Sequence, residues 1–230
     1  MIEIAVLGKL QIRWEGEEIT AVLPQKGQAL LVYLAVTRQH VTRSALAGLL
    51  WGEMPEEVAR ANLRLTLSRL RKVVGEAIVA TRNTVAFDFS QPHWLDYALF
   101  TAAPSTPTSQ PSQIVALYRG DFLDDLLVAD APDFETWVLT LREQVRQQFQ
   151  RLLARLVDEA YAAGQWADGI GWARQLLALE PWDEAAHRQL MRLLTANGQR
   201  SAALAQFRVC ADLLAEELGV EPETETVALV

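Results

Sequence analysis

A stretch of sequence recurs at a spacing of 34 residues in the C-terminal half of the chain, and this period restricts the possible folds more than any other feature. Gly164-Gln165-Trp166 is matched by Gly198-Gln199-Arg200, and Ala173 and Leu179 recur in register as Phe207 and Leu213. A glycine between two helical segments at this period is typical of stacked helix pairs. One pair cannot bury its own apolar face, so neighbouring helices must cover it. Apolar residues at helical spacing over 133–161 supply such neighbours, and the pattern predicts an all-α stack.

The first 92 residues follow a different pattern. Apolar residues alternate with polar ones over 2–14 around a turn at Gly8, which predicts a small antiparallel sheet. Three helical segments follow: one ends near Arg38, the second begins at the N-cap Thr42, and the third runs from about Glu56 to Val74. Residues 78–87 then predict a β-hairpin. This order of elements is that of a winged helix-turn-helix.

The two parts of the chain also differ in charge. The 230 residues are 50% hydrophobic, which supports packed cores, and their net charge is −8. Residues 1–100 hold 11 Lys and Arg against 10 Asp and Glu, so the negative charge belongs almost entirely to the rest. We predict a mainly α fold with a small β component, made of a winged helix-turn-helix over 1–92 and a tetratricopeptide-like domain over 93–230. A Pro/Ser/Thr-rich segment at 101–112 is predicted to be a loop.

The third predicted helix has the composition of a helix that contacts DNA. Between Arg60 and Lys72 it holds five basic residues and no acidic one. At about 100° per residue, one face holds five apolar residues and the cations lie on the others; the five are Ala59, Leu63, Leu67, Leu70 and Val74. A solvated helix normally mixes both signs of charge, so the pattern favours contact with the major groove over a merely solvated face. The candidate residues on this helix are Arg60, Arg64, Thr66, Ser68, Arg69, Arg71 and Lys72.

Four further residues are weaker candidates for DNA contact. Arg82 lies in the turn of the hairpin and suits a phosphate or the minor groove, although an ordinary turn residue explains it equally well. Thr42 and Arg43 open the second helix, where free N–H groups favour a phosphate, and a plain N-cap explains Thr42 as well. Lys26 lies near the start of the first helix, where a solvated lysine accounts for it.

No residue pattern predicts an enzyme, a metal site or a cofactor site. The three histidines do not form a group, and Glu184-x-x-His187 lacks the second such motif that a carboxylate-bridged metal site needs. The single Cys210 allows no internal disulfide and is interpreted as a small core residue. Trp166, Trp172 and Trp182 are predicted to lie in the core of the repeats. No apolar run approaches the roughly 20 residues of a membrane span, so we expect a cytoplasmic protein that binds no membrane.

Several segments resemble SARP-type (DnrI/AfsR-like) bacterial activators. Residues 59–75, preceded by Leu49-Leu50-Trp51-Gly52, are similar to the recognition region of their OmpR/PhoB-type winged helix. The segments 117–123, 181–188 and 213–222 are similar to the bacterial transcriptional activator domain that follows it. Thr66 and Arg64 stand where many members have His and Gln, which implies that a different base sequence is read.

The resemblance implies binding of double-stranded DNA at promoter direct repeats by side-by-side protomers, with recruitment of the RNA polymerase holoenzyme. It places the base-reading role on the residues of the third helix named above. The residues leave one alternative open, because helical repeats of this type are interaction modules by default. In that alternative the chain is a protein–protein adaptor whose winged helix binds no DNA.

Overall fold

The structure is a computed structural model that describes residues 1–102 and 111–229. The chain divides into two compact units, Met1–Arg146 and Gln147–Val230. The mainly α fold with a small β component is confirmed, while the domain boundary at 92/93 stays a prediction. Most of the loop predicted at 101–112 lies outside the described residues. Its first two residues end one helix, and its last two begin another.

The first unit begins with a sheet whose strands are β1 (Ile2–Ala5), β2 (Gln11–Trp14), β3 (Glu17–Glu18) and β7 (His93–Leu95). Their order in the sheet is β3-β2-β1-β7. The predicted antiparallel pairing of β1 with β2 is present, with Ile4 opposite Ile12. The sequence did not predict β7, which pairs with β1 in parallel and places His93 opposite Ile2.

The helices and the hairpin of the winged helix lie where the sequence pattern predicts them. The helices are α1 (Gln25–Thr37), α2 (Arg43–Trp51) and α3 (Glu56–Val74). The hairpin consists of β5 (Ile78–Ala80) and β6 (Thr84–Phe87), and a short strand β4 (Val41–Thr42) pairs with β6. Because Thr42 lies opposite Thr84 in that pairing, the hairpin is attached directly to the start of α2.

A buried carboxylate connects β1 to the residues that follow the hairpin. The helices after β7 are α4 (Asp96–Ala102), α5 (Pro111–Leu117) and α6 (Pro132–Ala163). Asp96 is 1% exposed and accepts hydrogen bonds from the backbone N–H groups of Val6, Leu7 and Tyr97 at 2.7–3.0 Å. Its carboxylate also pairs with Arg119 at 3.2 Å. Burial raises the pKa of Asp96, while these donors and Arg119 oppose the shift.

The second unit contains the predicted helix-pair repeat. Its helices are α7 (Trp166–Leu179), α8 (Glu184–Ala196), α9 (Arg200–Leu213) and α10 (Thr224–Val227), with a π turn at Leu214–Leu218. Gly164 and Gly198, 34 residues apart in sequence, have nearly the same φ, +72° and +75°. The next residues, Gln165 and Gln199, donate backbone hydrogen bonds of 2.9 and 2.8 Å to Ala160 and Leu194. The two turns therefore repeat in geometry as well as in sequence.

Side chains in the second unit mostly take the places that the sequence predicts, with one exception. Trp166 and Trp172 pack against the core that includes Leu190 and Leu194. Trp182 was predicted to be a core residue, and this is wrong, because its side chain is 46% exposed. Trp182 precedes the N-cap Asp183 and lies in the turn between α7 and α8, outside the face that the helices bury. Across the described residues, every helix is too short or too polar to cross a lipid bilayer.

Candidate nucleic-acid interface

The third helix, α3, has an apolar face buried in the first unit and a polar surface exposed to solvent. Its buried residues are Ala59, Leu63, Leu67, Leu70 and Val74, each at most 4% exposed. They are the five residues that the 100° spacing assigns to the inner face. All five basic side chains between residues 60 and 72 are exposed. The helix therefore presents its cations to solvent and holds its orientation through the apolar face.

The first turn of α2 and the hairpin turn are joined by backbone and side-chain hydrogen bonds. The hydroxyl of Thr42 accepts a hydrogen bond from the Ala45 N–H at 3.2 Å, which confirms Thr42 as the N-cap. Arg43 donates through its backbone N–H to the Asn83 carbonyl at 2.9 Å and through Nε to the Thr81 carbonyl at 3.0 Å. Because Arg43 connects both elements, the exposed Arg82 is held beside the start of α2.

An open groove, called here the basic groove, runs along α3 beside the start of α2 and the hairpin. One part of it is lined by Thr42, Arg43, Ser44, Arg60, Leu63, Arg64, Arg82 and Asn83. The adjoining part is lined by Arg43, Arg64, Leu67, Ser68, Arg71, Lys72, Gly75, Glu76 and Ala80. Arg43 and Arg64 line both parts, so the two are continuous. Eight of the eleven residues predicted from the sequence meet here.

The other three predicted residues lie away from the basic groove. Thr66 lies on the opposite flank of α3, where a Cβ added to Gly27 of α1 would come within 3.8 Å of its methyl group. Arg69 is exposed but lines neither part of the groove. The Lys26 ammonium lies 5.3 Å from the centroid of the Trp51 ring, a cation–π contact. Burial lowers the pKa of Lys26, and the nearby carboxylate of Asp130 partly opposes this shift.

Sequence reasoning missed three features of this surface. Asn83 lines the groove beside Arg82, and its place in the hairpin turn was the signal that could have identified it. Leu65 was not singled out either, although its side chain is 51% exposed on a helix whose other leucines, Leu63, Leu67 and Leu70, are buried. The third feature is the ion pair between Arg60 and Glu56. It was missed because the charges of α3 were counted only between Arg60 and Lys72, and Glu56 lies before that segment.

The charges along α3 are only partly explained by helix stability. Glu56 and Glu57 lie in its first turn and Arg71 and Lys72 in its last, an arrangement that suits the helix dipole. Arg60 forms an i,i+4 pair with Glu56, with 2.5 Å between Nη2 and Oε1. Arg64 belongs to neither group, since it lies in the middle of the helix and no salt bridge to it occurs within the described residues. Helix stability therefore does not account for the position of Arg64 in both parts of the groove.

Two side chains of types that commonly bind metal ions, His187 and Asp125, have structural roles. His187 is 3% exposed; its Nε2 lies 2.8 Å from the Pro181 carbonyl, and its Nδ1 lies 2.7 Å from the side-chain amide nitrogen of Gln206. Asp125 accepts a hydrogen bond from the Leu10 N–H at 2.9 Å. In the part of the chain that the structure describes, no three His, Cys, Asp or Glu side chains are grouped as a metal ion would require.

Comparison with known proteins identifies relatives over almost the whole chain. It is 26% identical to the transcriptional regulatory protein MoaR1 of Mycobacterium tuberculosis, over 99% of this chain and 78% of that protein. It is also 26% identical to the regulatory protein AfsR of Streptomyces coelicolor, over 96% of this chain and 23% of AfsR. The transcriptional regulatory protein EmbR of M. tuberculosis is 27% identical over 96% of this chain and 60% of its own length.

A solved structure and a family match give the remaining comparisons. The structure of M. tuberculosis EmbR in complex with a low affinity phosphopeptide superposes with a TM-score of 0.68 over 99% of this chain and 63% of that one. At 24% identity this likeness establishes the fold alone. The family described as bacterial transcriptional activator domain matches residues 102–230, more than half of the chain. The chain therefore belongs to the bacterial transcriptional activator domain family.

Proposed function

We propose that this chain is a sequence-specific DNA-binding regulator of transcription that reads promoter DNA with α3. Its family and the names of MoaR1, AfsR and EmbR support a non-enzymatic role in regulating transcription. The observation that carries the DNA-reading part is the basic groove, in which Arg64 and Arg71 of α3 meet Arg43 of α2 and Arg82 of the hairpin. Four guanidinium groups from three elements on one surface suit a polyanion better than a solvated surface.

The geometry supports a specific way of docking. With α3 in the major groove, Ser68 would face base edges, while Arg64, Arg71 and Lys72 would reach phosphates. The first turn of α2 has no acidic residue, and its Arg43 and Ala45 N–H groups already have partners, so the Ser44 N–H would donate to a phosphate beside Arg43. The hairpin would place Arg82 against the neighbouring backbone or minor groove. Thr66, Arg69 and Lys26 would then have secondary roles.

A second surface of the first unit supports contact with protein. Leu127 and Leu139 are 75% and 55% exposed, and they border a shallow groove also lined by Leu126, Phe134 and Val138. A contiguous exposed apolar patch is a feature of protein interaction sites. We assign to it the contact with RNA polymerase or with a neighbouring protomer on promoter direct repeats, the contact expected of an activator.

Charge reversal in the basic groove tests the DNA-reading role. Arg64→Glu combined with Arg71→Glu removes two cations from the groove and adds two anions, while both side chains are exposed and take no part in the core. We expect loss of binding to a DNA sequence selected from a random pool, with an unchanged unfolding midpoint. The matched control, Arg192→Glu combined with Arg208→Glu, makes the same change of charge at exposed positions of the second unit. It should bind DNA nearly as the unchanged protein does.

The two candidate functions differ in the outcome. If the Arg64 and Arg71 variant binds DNA as tightly as the control, α3 does not read DNA and the proposal is wrong. If the unchanged chain binds no DNA while the variant still regulates its target genes, the adaptor alternative is correct. Regulation lost together with DNA binding supports the regulator.

A further inference from the structure

One line of apolar side chains lies on the outward face of α3. Leu65 is 51% exposed and Val58, two turns earlier, is 45% exposed. Ala61 lies between them and is also exposed. At about 100° per residue these three positions fall on the side of the helix opposite the buried leucines. The helix therefore has a second apolar stripe, which is exposed and lies outside the core of the first unit.

The side chains next to Leu65 are those expected of a helix in a DNA groove. Arg64 precedes it on one flank and Arg69 follows on the other, and both are exposed. Ser68 comes one turn later on the outward side and lines the basic groove. Leu65 thus lies at the centre of a surface whose edges carry positive charge, which is where a helix in the major groove meets the base edges.

In the major groove, the apolar group available to a leucine is the C5-methyl of thymine. We propose that Leu65 contacts a thymine methyl and selects thymine at one position of the bound sequence. This inference rests on the proposed function and adds to it one element of the sequence that is read. Neither Arg64 nor Ser68 can make this distinction, because a thymine and a uracil present the same hydrogen-bonding groups and differ only in the methyl.

The charges around Leu65 favour DNA over a protein as the partner that covers it. A protein that packed on Leu65 would also take Arg64 and Arg69 out of water, which is costly unless each finds an acidic partner. A DNA duplex neutralises both with phosphates and offers methyl groups between the two backbones. We therefore assign the outward stripe to DNA, and a protein partner becomes one of the outcomes of the test.

Replacement of single thymines by uracil tests the contact. A sequence selected from a random pool by the full chain is synthesised with each thymine changed in turn to uracil, and Kd is measured by fluorescence anisotropy. For the unchanged protein we expect one uracil substitution to weaken binding about fourfold, the effect of losing one buried methyl-sized group. For Leu65→Ala the thymine and uracil forms of that site should bind equally. Leu218→Ala, at a similarly exposed leucine of the second unit, should keep the fourfold ratio.

The outcomes separate this inference from the proposal on which it rests. The unchanged protein could bind DNA and yet lose the same affinity as Leu65→Ala at every uracil substitution. In that case Leu65 does not contact a thymine methyl, while the proposal that α3 reads DNA stands. The same holds if Leu65→Ala leaves DNA binding intact and abolishes binding to a partner protein. If the unchanged protein binds no DNA at all, both are overturned. Equal unfolding midpoints of Leu65→Ala and the unchanged protein are expected, because the side chain has no part in the core.

Discussion

The dependence of DNA affinity on salt can be worked out from the basic groove. Six cations line it, and two of them already have partners: Arg60 pairs with Glu56, and Arg43 donates to the Thr81 carbonyl. Arg64, Arg71, Lys72 and Arg82 remain, with no salt bridge to any of them within the described residues. If each of these four contacts one phosphate, log Kd should change with log salt with a slope of about 3.6, because each contact contributes about 0.9.

The size of this effect is large enough to measure easily. A slope of about 3.6 weakens binding about 150-fold between 50 and 200 mM salt. If Arg43 and Arg60 also reach phosphates, the slope rises to about 5.4. Arg71→Gln removes one contact and should lower the slope by about 0.9 on every DNA sequence, whether specific or not. Fluorescence anisotropy with one labelled duplex across a series of KCl concentrations measures both slopes.

A control and a refuting result complete the test. Arg200→Gln removes a cation from an exposed position in the second unit and should leave the slope unchanged. A slope below about 2 for the unchanged protein would mean that at most two phosphates are contacted, and the groove would then not be the DNA surface. The same conclusion follows if Arg71→Gln and Arg200→Gln give equal slopes.

Three further results are expected. Thr42→Ala removes the N-cap of α2 and should lower the free energy of unfolding by about 1 kcal/mol in urea titrations. Thr42→Ser keeps a capping hydroxyl and should retain most of that stability. Equal stabilities of Thr42→Ala and the unchanged protein would contradict the capping role. Burial raises the pKa of Cys210 to about 11, so the thiol should react with a thiol reagent at pH 8 only after the protein unfolds. Rapid reaction of the folded protein would argue against the burial of Cys210 in the core. Leu127→Ser combined with Leu139→Ser should abolish activation in a reporter assay without changing Kd for a duplex that carries a single binding site; full activation would exclude that surface as the protein contact.

Local patterns were sufficient to predict the parts of the fold that depend on neighbours in sequence. The apolar residues of α3 recur at helical spacing, and this predicted its buried face residue by residue. Gly164 and Gly198 predicted the repeated turns because a left-handed conformation favours glycine. The strand β7 has only three residues, and its pairing partner Ile2 lies about 90 residues away in sequence, so no local pattern identifies it.

The candidate site was predictable in part for the same reason. Composition identified the cations of α3 but not which flank the hairpin adjoins, and this depends on the pairing of Thr42 with Thr84. Arg64 and Arg69 were therefore equivalent in the sequence, while only Arg64 lines the groove. Lys26 lies beside Trp51 because the start of α1 packs near the end of α2, a contact between distant parts of the sequence.

The buried carboxylate of Asp96 has a consequence for how the N-terminal part of the chain, which we propose reads DNA, can be exchanged between proteins. It accepts hydrogen bonds from the backbone N–H groups of Val6 and Leu7. The strand β7, which ends at the residue before Asp96, pairs with the edge of β1. A protein cut after residue 92 would leave those N–H groups and that edge without partners, a situation that favours aggregation. We therefore expect that a transfer of this part of the chain to another regulator folds correctly only if β7 and Asp96 are included in the transferred segment.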